Sequence, residues 1–239
     1  MSLIWDRLAS LQNEMSAAID LTNGSRRTKE PGMNRFNNDK WTNRTWTATG
    51  IRRAHLDVVD ARADKGLWMM HVCIMPELTS VGPIFGFDVI AGRNKITGAF
   101  LDYSPGTNAD HEMMQVFAKM VEDLKWKRER ELPDWAKAIF SGHMVAAGNI
   151  TDEMELEQII TATKHALWYY IDNIRYTTNR SDELMVAKVQ NHYARHQKMN
   201  PHTPKVMKSL GLPEEDVDLF TSKCLFPEID TTELEKRYA

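Results

Sequence analysis

Four ionisable residues sit in stretches that are otherwise apolar: His55 and Asp57 in Ala54-His-Leu-Asp-Val58, His71 in Trp68-Met-Met-His-Val-Cys-Ile74, and Asp88 in Phe85-Gly-Phe-Asp-Val-Ile90. A carboxylate among Phe85, Phe87, Val89 and Ile90 loses hydration, so it must be paired, shifted upward in pKa, or both. Such an acid is suited to releasing protons near neutrality. A histidine in this setting is more often a satisfied core residue than a catalytic one, but a mid-strand aspartate is disfavoured and needs a reason. Four such residues gathered on neighbouring strands favour a proton-handling site. Asp102, in Phe100-Leu-Asp-Tyr-Ser-Pro105, reads instead as a strand-end turn residue whose carboxylate accepts backbone hydrogen bonds.

Other chemistries lack their signatures. Gly82-Pro83 and Phe85-Gly86 have neither the spacing nor the following helix of a phosphate loop. There is no Gly-x-Ser-x-Gly elbow, and Ser141-Gly-His143 has no visible partner acid. His55 and His71 lack the close spacing of metal ligands, so no metal is expected, and no flavin or nicotinamide fingerprint occurs. Cys73 and Cys224 are the only cysteines and lie far apart. They read as core thiols of a protein in a reducing compartment, neither a disulfide framework nor a metal site.

The elements that must position the four residues are strands. Trp41 to Thr49 alternates, and the segments 51–59, 67–75, 84–91 and 95–102 follow, separated by Gly50, Asp64-Lys65-Gly66, Val81-Gly82-Pro83 and Gly92-Arg93-Asn94. These short turns leave no room for a crossover helix and predict an antiparallel meander. Ahead of it, Leu3, Ile4, Leu8, Leu11, Met15 and Ile19 mark an amphipathic helix rather than a signal peptide, and Thr22 to Lys40 reads as a solvated loop. Beyond Pro105 the period becomes helical. One helix starts near Asn108 or Asp110 and carries Met113, Phe117, Met120 and Leu124; a second is capped by Thr151 and runs to Ile174; a third opens at Ser181 and stops before Pro201.

Strands followed by helices give an α+β class, one antiparallel sheet covered by helices, with the first helix free to join either layer. A chain of 239 residues, 42% apolar, forms a single domain over 1–239. A net charge of −3 does not suit a sequence-independent nucleic-acid binder, and no stretch approaches the roughly 18 apolar residues of a membrane span. A cytoplasmic protein, acting on no nucleic acid and no membrane, is expected.

The ordered runs Ala54-His-Leu-Asp57, Lys65 to Glu77, Gly82 to Gly92 and Thr97 to Pro105 resemble the ferredoxin-dependent bilin reductases, with most similarity to the phycocyanobilin:ferredoxin oxidoreductase branch. Arg130-Glu-Leu-Pro-Asp-Trp135, Gly148 to Glu153, His192-Tyr193 and Cys224-Leu-Phe226 extend the match along nearly the whole chain. The resemblance implies a three-layer α/β/α sandwich with a central antiparallel sheet, biliverdin IXα as substrate between the sheet and the later helices, and no bound cofactor. Electrons would come one at a time from a reduced 2Fe-2S ferredoxin, with a radical mechanism and a monomer sufficient.

By position, the resemblance makes Asp88 the central proton donor, and His71 the group that hydrogen-bonds the bilin lactam oxygen. His55 becomes the second histidine of the motif, and Thr97 a propionate contact. Asp57 stands where the phycocyanobilin-forming enzymes place a glutamate that serves the D-ring vinyl group. Phe85, Phe87 and Met70, with Trp68 and Met69, are expected as pocket walls or as core packing, and Pro201-His202 replaces an Asp-Lys pair of relatives. An arginine that grips a propionate is missing near Ala146, leaving Arg93, Lys95 or Lys198 for that task. The shorter Asp57 and the lost pair imply a four-electron product, phycoerythrobilin, formed by reducing the C15 to C16 methine bridge and then the A-ring. Phycocyanobilin formation and a non-catalytic bilin carrier are the alternatives. Acidic ferredoxin would dock on a basic patch, either Arg52, Arg53, Arg93 and Lys95 or Lys125, Lys127, Arg128 and Arg130.

Overall fold

Alternating side chains over five consecutive segments, joined by turns too short to cross over, oblige neighbouring segments to pair as hairpins. The computed structural model describes residues 3–178 and 182–238. Helix α1 (Leu3–Leu21) leads into β1 (Arg26–Thr28) and a short helical turn at Met33–Phe36. The meander follows: β2 (Trp41–Ala48), β3 (Ile51–Ala61), β4 (Leu67–Pro76), β5 (Ile84–Ala91) and β6 (Ile96–Ser104). Then come α2 (Glu112–Val121), α3 (Asp134–Lys137), β7 (Val145–Ala147), α4 (Glu153–Asn173), α5 (Glu183–Gln197), α6 (His202–Ser209) and α7 (Glu214–Leu219). A π-helical turn at Phe220–Leu225 and α8 (Thr232–Tyr238) end the described chain. The strands form one antiparallel sheet in the order β1-β2-β3-β4-β5-β6-β7.

Strand parity divides the sheet into two faces. Ala54, Leu56 and Val58, Trp68, Met70, Val72 and Ile74, and Phe85, Phe87 and Val89 share one core cluster with residues of α1, α2 and α4. Each large side chain so buried contributes about 1.5–3 kcal/mol. Tyr103 stacks on Phe117 at 4.6 Å and donates to the Ala166 carbonyl, and Tyr170 donates to the Pro83 carbonyl at 2.8 Å, so the buried phenols are satisfied. The opposite face meets α5, α6, α7 and the π turn through a second cluster containing Cys73, Met75, Ile84, Tyr193, Met207, Val217, Phe220 and Phe226. These are the three layers of the expected sandwich, with α1 in the layer of α2 and α4. Both cysteines are buried and free.

Several local expectations are corrected. The segment 22–40 is not wholly a solvated loop: β1 pairs with β2, and Met33 and Phe36 are buried, Phe36 lying edge-on to Phe220 at 4.9 Å. Helix α2 starts at Glu112 because His111 Nδ1 accepts the Met113 N–H, while Asn108 spends its side chain on the Asp110 N–H in the preceding turn. Asp152, not Thr151, caps α4, its extended backbone aiming a carboxylate at the Glu155 N–H at 3.0 Å. Asp182 caps α5, and Ser181 lies outside the described residues. Among the described residues, no helix is long and apolar enough to cross a membrane.

Candidate active site

The register of the meander sets one polar row across the sheet: Asn43, Asp57, His71, Asp88, Phe100 and Ala146 are successive cross-strand partners from β2 to β7. Directly opposed residues on antiparallel strands have Cβ atoms about 4.5–5.5 Å apart. His71 is therefore flanked by two carboxyl groups, with its Nδ1 3.7 Å from Asp57 Oδ1. That distance is too long for a hydrogen bond, and among the described residues the buried Nδ1 has no hydrogen-bond partner. The next row reads Thr45, His55, Cys73, Gly86 and Asp102, so His55 lies one step away from the trio.

Burial sets the protonation of the row. Asp57 is 8% exposed, and its carboxyl is pushed up to about 7 by burial; a hydrogen bond from Trp41 Nε1 at 3.3 Å opposes this, and nearby Asp88 adds to it. Asp88 is also raised to about 7 by burial, against the Val89 backbone N–H. His71 goes the other way, to about 4, because burial and then the Arg53 charge disfavour its cation. His55 is lowered well below its ordinary value for the same reasons, and its Nε2 meets Asn43 Oδ1 at 3.1 Å. At neutral pH the row holds a neutral imidazole between two acids poised to exchange protons.

Above the row lies a cavity of about 420 Å³, within the roughly 300–1,000 Å³ of small-molecule sites. Its floor is the sheet face carrying Asp57, Met69, His71, Gly86, Asp88, Ile90 and Thr97. The roof comes from 130–144 and from the later helices, notably Leu132, Trp135, Phe140, Tyr193, Val206, Phe220 and Phe226. Gly86 keeps the floor flat: an added Cβ would lie 3.3 Å from the Tyr193 hydroxyl.

Asp57, His71, Asp88, Thr97 and His202 all border this cavity, His202 from the exposed start of α6. The Thr97 hydroxyl donates to the Ile90 carbonyl at 3.0 Å and retains its acceptor capacity. Phe87 and Met70 border it only from within the strands, since their side chains belong to the opposite core. Phe85 does not reach it at all: it packs against Tyr103 and Tyr170 on the far face. His55 is fully buried beneath Phe220 and does not line the space. Arg93, Lys95 and Lys198 do not line it either; Lys95 bonds Asn149 and Lys198 pairs with Glu228.

Sequence reasoning missed several residues. Arg130 and Lys205 are the cations at the cavity, the former donating to the Thr97 carbonyl at 2.9 Å. Asp102 lies inside β6 rather than at a strand end and lines the cavity; burial raises it to about 6 against hydrogen bonds from Ser141 and Ser104. One of those is the expected backbone bond, from Ser141 N at 3.0 Å. Trp41 as partner of Asp57, and Phe220 in the π turn, carried no sequence signal beyond their apolar type. Among the described residues no cluster of three or more His, Cys, Asp or Glu side chains could hold a metal ion.

An antiparallel sheet between helical layers, with acids and a neutral imidazole facing a largely apolar cavity, is an arrangement able to hold a mostly apolar molecule beside groups that can donate protons. Residues 9–227 match the family described as ferredoxin-dependent bilin reductase, and the chain belongs to that family: it is a ferredoxin-dependent bilin oxidoreductase. It is 29% identical over 174 residues to a phycocyanobilin:ferredoxin oxidoreductase of Synechococcus sp. (strain CC9605), spanning 70% of this chain and 68% of the relative. The corresponding protein of Trichodesmium erythraeum (strain IMS101) is 25% identical over 189 residues, spanning 77% and 75%. The solved structure of PcyX is 40% identical with a TM-score of 0.71, covering 93% of this chain and 99% of that one. Tomato phytochromobilin synthase, solved in complex with biliverdin, shares the fold at a TM-score of 0.65 and 15% identity, over 92% and 81% of the two chains.

Proposed function

We propose that this chain reduces biliverdin IXα by four electrons to phycoerythrobilin, taking electrons singly from reduced ferredoxin. The observation that carries the reading is the Asp57, His71, Asp88 row. In it two acids, each near pKa 7, flank an imidazole whose buried Nδ1 has no hydrogen-bond partner among the described residues. Four electrons require four protons per bilin. The extended conjugation of the substrate accommodates each single electron, and the protein supplies a dry cavity, orientation and timed protons. Asp88 serves as the principal donor, and His71 as the neutral group that bonds the lactam oxygen. Asp57 and Asp88 interact, so their protons belong to the pair rather than to either alone.

Asp57 decides the product. A glutamate would carry its carboxyl about 1.5 Å further on ordinary bond lengths, whereas Asp57 is held back by Trp41 within the sheet. A proton from Asp57 falls short of the D-ring vinyl group and leaves that group intact. For the propionates the cavity offers Arg130, whose guanidinium is steadied by the Thr97 carbonyl, and Lys205. A second reading, phycocyanobilin as product, is favoured by the names of the cyanobacterial relatives. A carrier without activity is disfavoured, because binding alone does not need carboxylic acids buried beside the bilin.

The test is an anaerobic absorbance time course with biliverdin IXα, reduced ferredoxin and the purified protein, followed by chromatography of the bilins against standards. Phycoerythrobilin is the expected product. Phycocyanobilin would overturn the reading of Asp57, and a coloured complex that never reduces would leave only a carrier.

A further inference from the structure

Arg53 precedes His55 by two residues on β3, on the same face of the sheet, and is only 6% exposed. Its guanidinium is engaged on two sides. Nε and Nη2 form a forked pair with Glu30, 2.7 Å to each carboxylate oxygen. Nη2 also donates to the Cys224 carbonyl, and Nη1 to the Leu225 carbonyl at 3.5 Å. Those carbonyls end the π turn, where a helix leaves acceptors without partners of its own. One planar cation thus joins three segments remote in sequence: the 22–40 connection, β3 and the C-terminal roof. A lysine could not do this, because an ammonium lacks the fork.

The roof held by Arg53 touches the acid-base row. Phe220, at the start of the π turn, has its ring 4.5 Å from Trp41 and 6.5 Å from His55. Phe226, just after it, stands edge-on to His71 at 5.5 Å. Trp41 in turn donates to Asp57. A π turn is an uncommon winding that recurs at functional sites, and here it is fixed at its end by a charge-assisted contact.

We propose that Arg53 is a positioning residue for bilin reduction: by pinning the π turn to the sheet it fixes Phe220 and Phe226, and through them Trp41, Asp57 and His71. This inference rests on the assignment of the row as the reacting site. The charge acts in the same direction as the contacts, since Arg53 helps hold His71 neutral among Asp57, Asp88, His55, Cys73 and Tyr193, the titratable groups of the strands and helix around it. Glu30 faces Arg53 from the far side and balances it.

The experiment compares Arg53→Met, Arg53→Lys and Glu30→Gln in the full chain. It reads thermal stability, circular dichroism of bound biliverdin, kcat and KM for biliverdin with reduced ferredoxin, and the pH profile of kcat. Expected for Arg53→Met is a fall in kcat of about 10- to 100-fold, the cost of a displacement of roughly 1 Å at a reacting site. The dichroism of the bound bilin changes, and the acidic limb of the pH profile moves toward neutrality as His71 becomes easier to protonate. Arg53→Lys recovers the pH limb, having kept the charge, but not kcat. Glu30→Gln shows a smaller loss of kcat. Lower thermal stability with wild-type dichroism, kcat and pH profile would overturn the proposal and leave Arg53 a purely structural residue. If both Arg53 variants fail to fold, Glu30→Gln decides: reduced kcat in a folded protein supports the clamp, and wild-type kcat and dichroism overturn it. Failure of the wild-type protein to reduce biliverdin would instead overturn the functional reading.

Discussion

Asp57 and Asp88 are acids that the fold keeps protonated where an unfolded chain would ionise them. With folded values of about 7 against an ordinary value of about 4, the unfolded chain releases protons between those limits that the native state retains. Stability from these two groups therefore falls as pH rises from about 4 to about 7, and is level above. His71, lowered to about 4 from about 6.5, has the opposite sign: its component rises with pH across that interval. The two signs partly cancel in the wild type and separate in single variants. Asp88→Asn should be more stable than wild type at pH 8 by roughly 1–2 kcal/mol, the gain vanishing near pH 4, while turnover falls at least ~100-fold. Urea melts at pH 4, 6 and 8 measure the first, and a pH-independent gain would refute the raised value of Asp88. Asp57→Glu extends the carboxyl and should divert product toward phycocyanobilin; chromatography showing unchanged product would remove Asp57 from the choice of product. At this scale the sequence was informative where type conflicts with surroundings, as for Asp57, His71 and Asp88. For Phe85 the choice between pocket wall and core could have been settled from the sequence, since it stands an odd number of residues from Asp88 and must point to the other face.

Among the elements, the five strands of the meander were legible because a period of two survives over eight to eleven residues. Once the turn after Ala61 serves as pivot, the pairing of Asp57 with His71 follows from it. The roof was not legible. β1 and β7 have three residues each, and α3, α6 and α7 four to eight, too few to display a period. The π turn has no pattern of its own, and its winding depends on the Arg53 contact from a distant strand. Helix α5 is the long element of that layer, carrying Tyr193 and Gln197 to the cavity. Its start is fixed by Asp182, which accepts from Leu184 N and Met185 N at 3.1 and 3.2 Å. Asp182→Ala should lower stability by about 1 kcal/mol, the usual worth of such a cap, with kcat unchanged because Tyr193 lies three turns along the helix. A denaturant midpoint shift together with steady-state kinetics checks both halves, and a lost kcat would mean that the first turn of α5 sets the roof.

For the whole molecule, the geometry must also let an electron carrier approach a site that lies between the sheet and the second helical layer. Of the two basic clusters expected to receive an acidic partner, the first is split: Arg93 and Lys95 are exposed in the turn after β5, whereas Arg52 and Arg53 on β3 are turned inward. Arg53 is buried in its clamp, and Arg52 is half-buried with its guanidinium on Gln190 at 2.7 Å. Arg53 cannot meet a partner without giving up its contacts to Glu30 and the π turn. The run after α2 remains at the surface: Lys125, Lys127, Arg128 and Arg130 are all exposed, with Lys127 paired to Asp152 and Arg130 reaching the cavity edge. This run borders the cavity through Arg130, so a carrier docked there stands beside the substrate. Reversing Lys125 and Arg128 to glutamate together should raise the KM for ferredoxin about 5- to 10-fold at low salt and flatten its dependence on ionic strength. Exposed charges steer association and are screened over roughly 10 Å at 0.1 M salt. The KM for biliverdin should not change, because neither residue lines the cavity. Turnover assays across a salt series decide it: an unaltered KM for ferredoxin with an unaltered salt slope would move the docking surface to another face of the molecule.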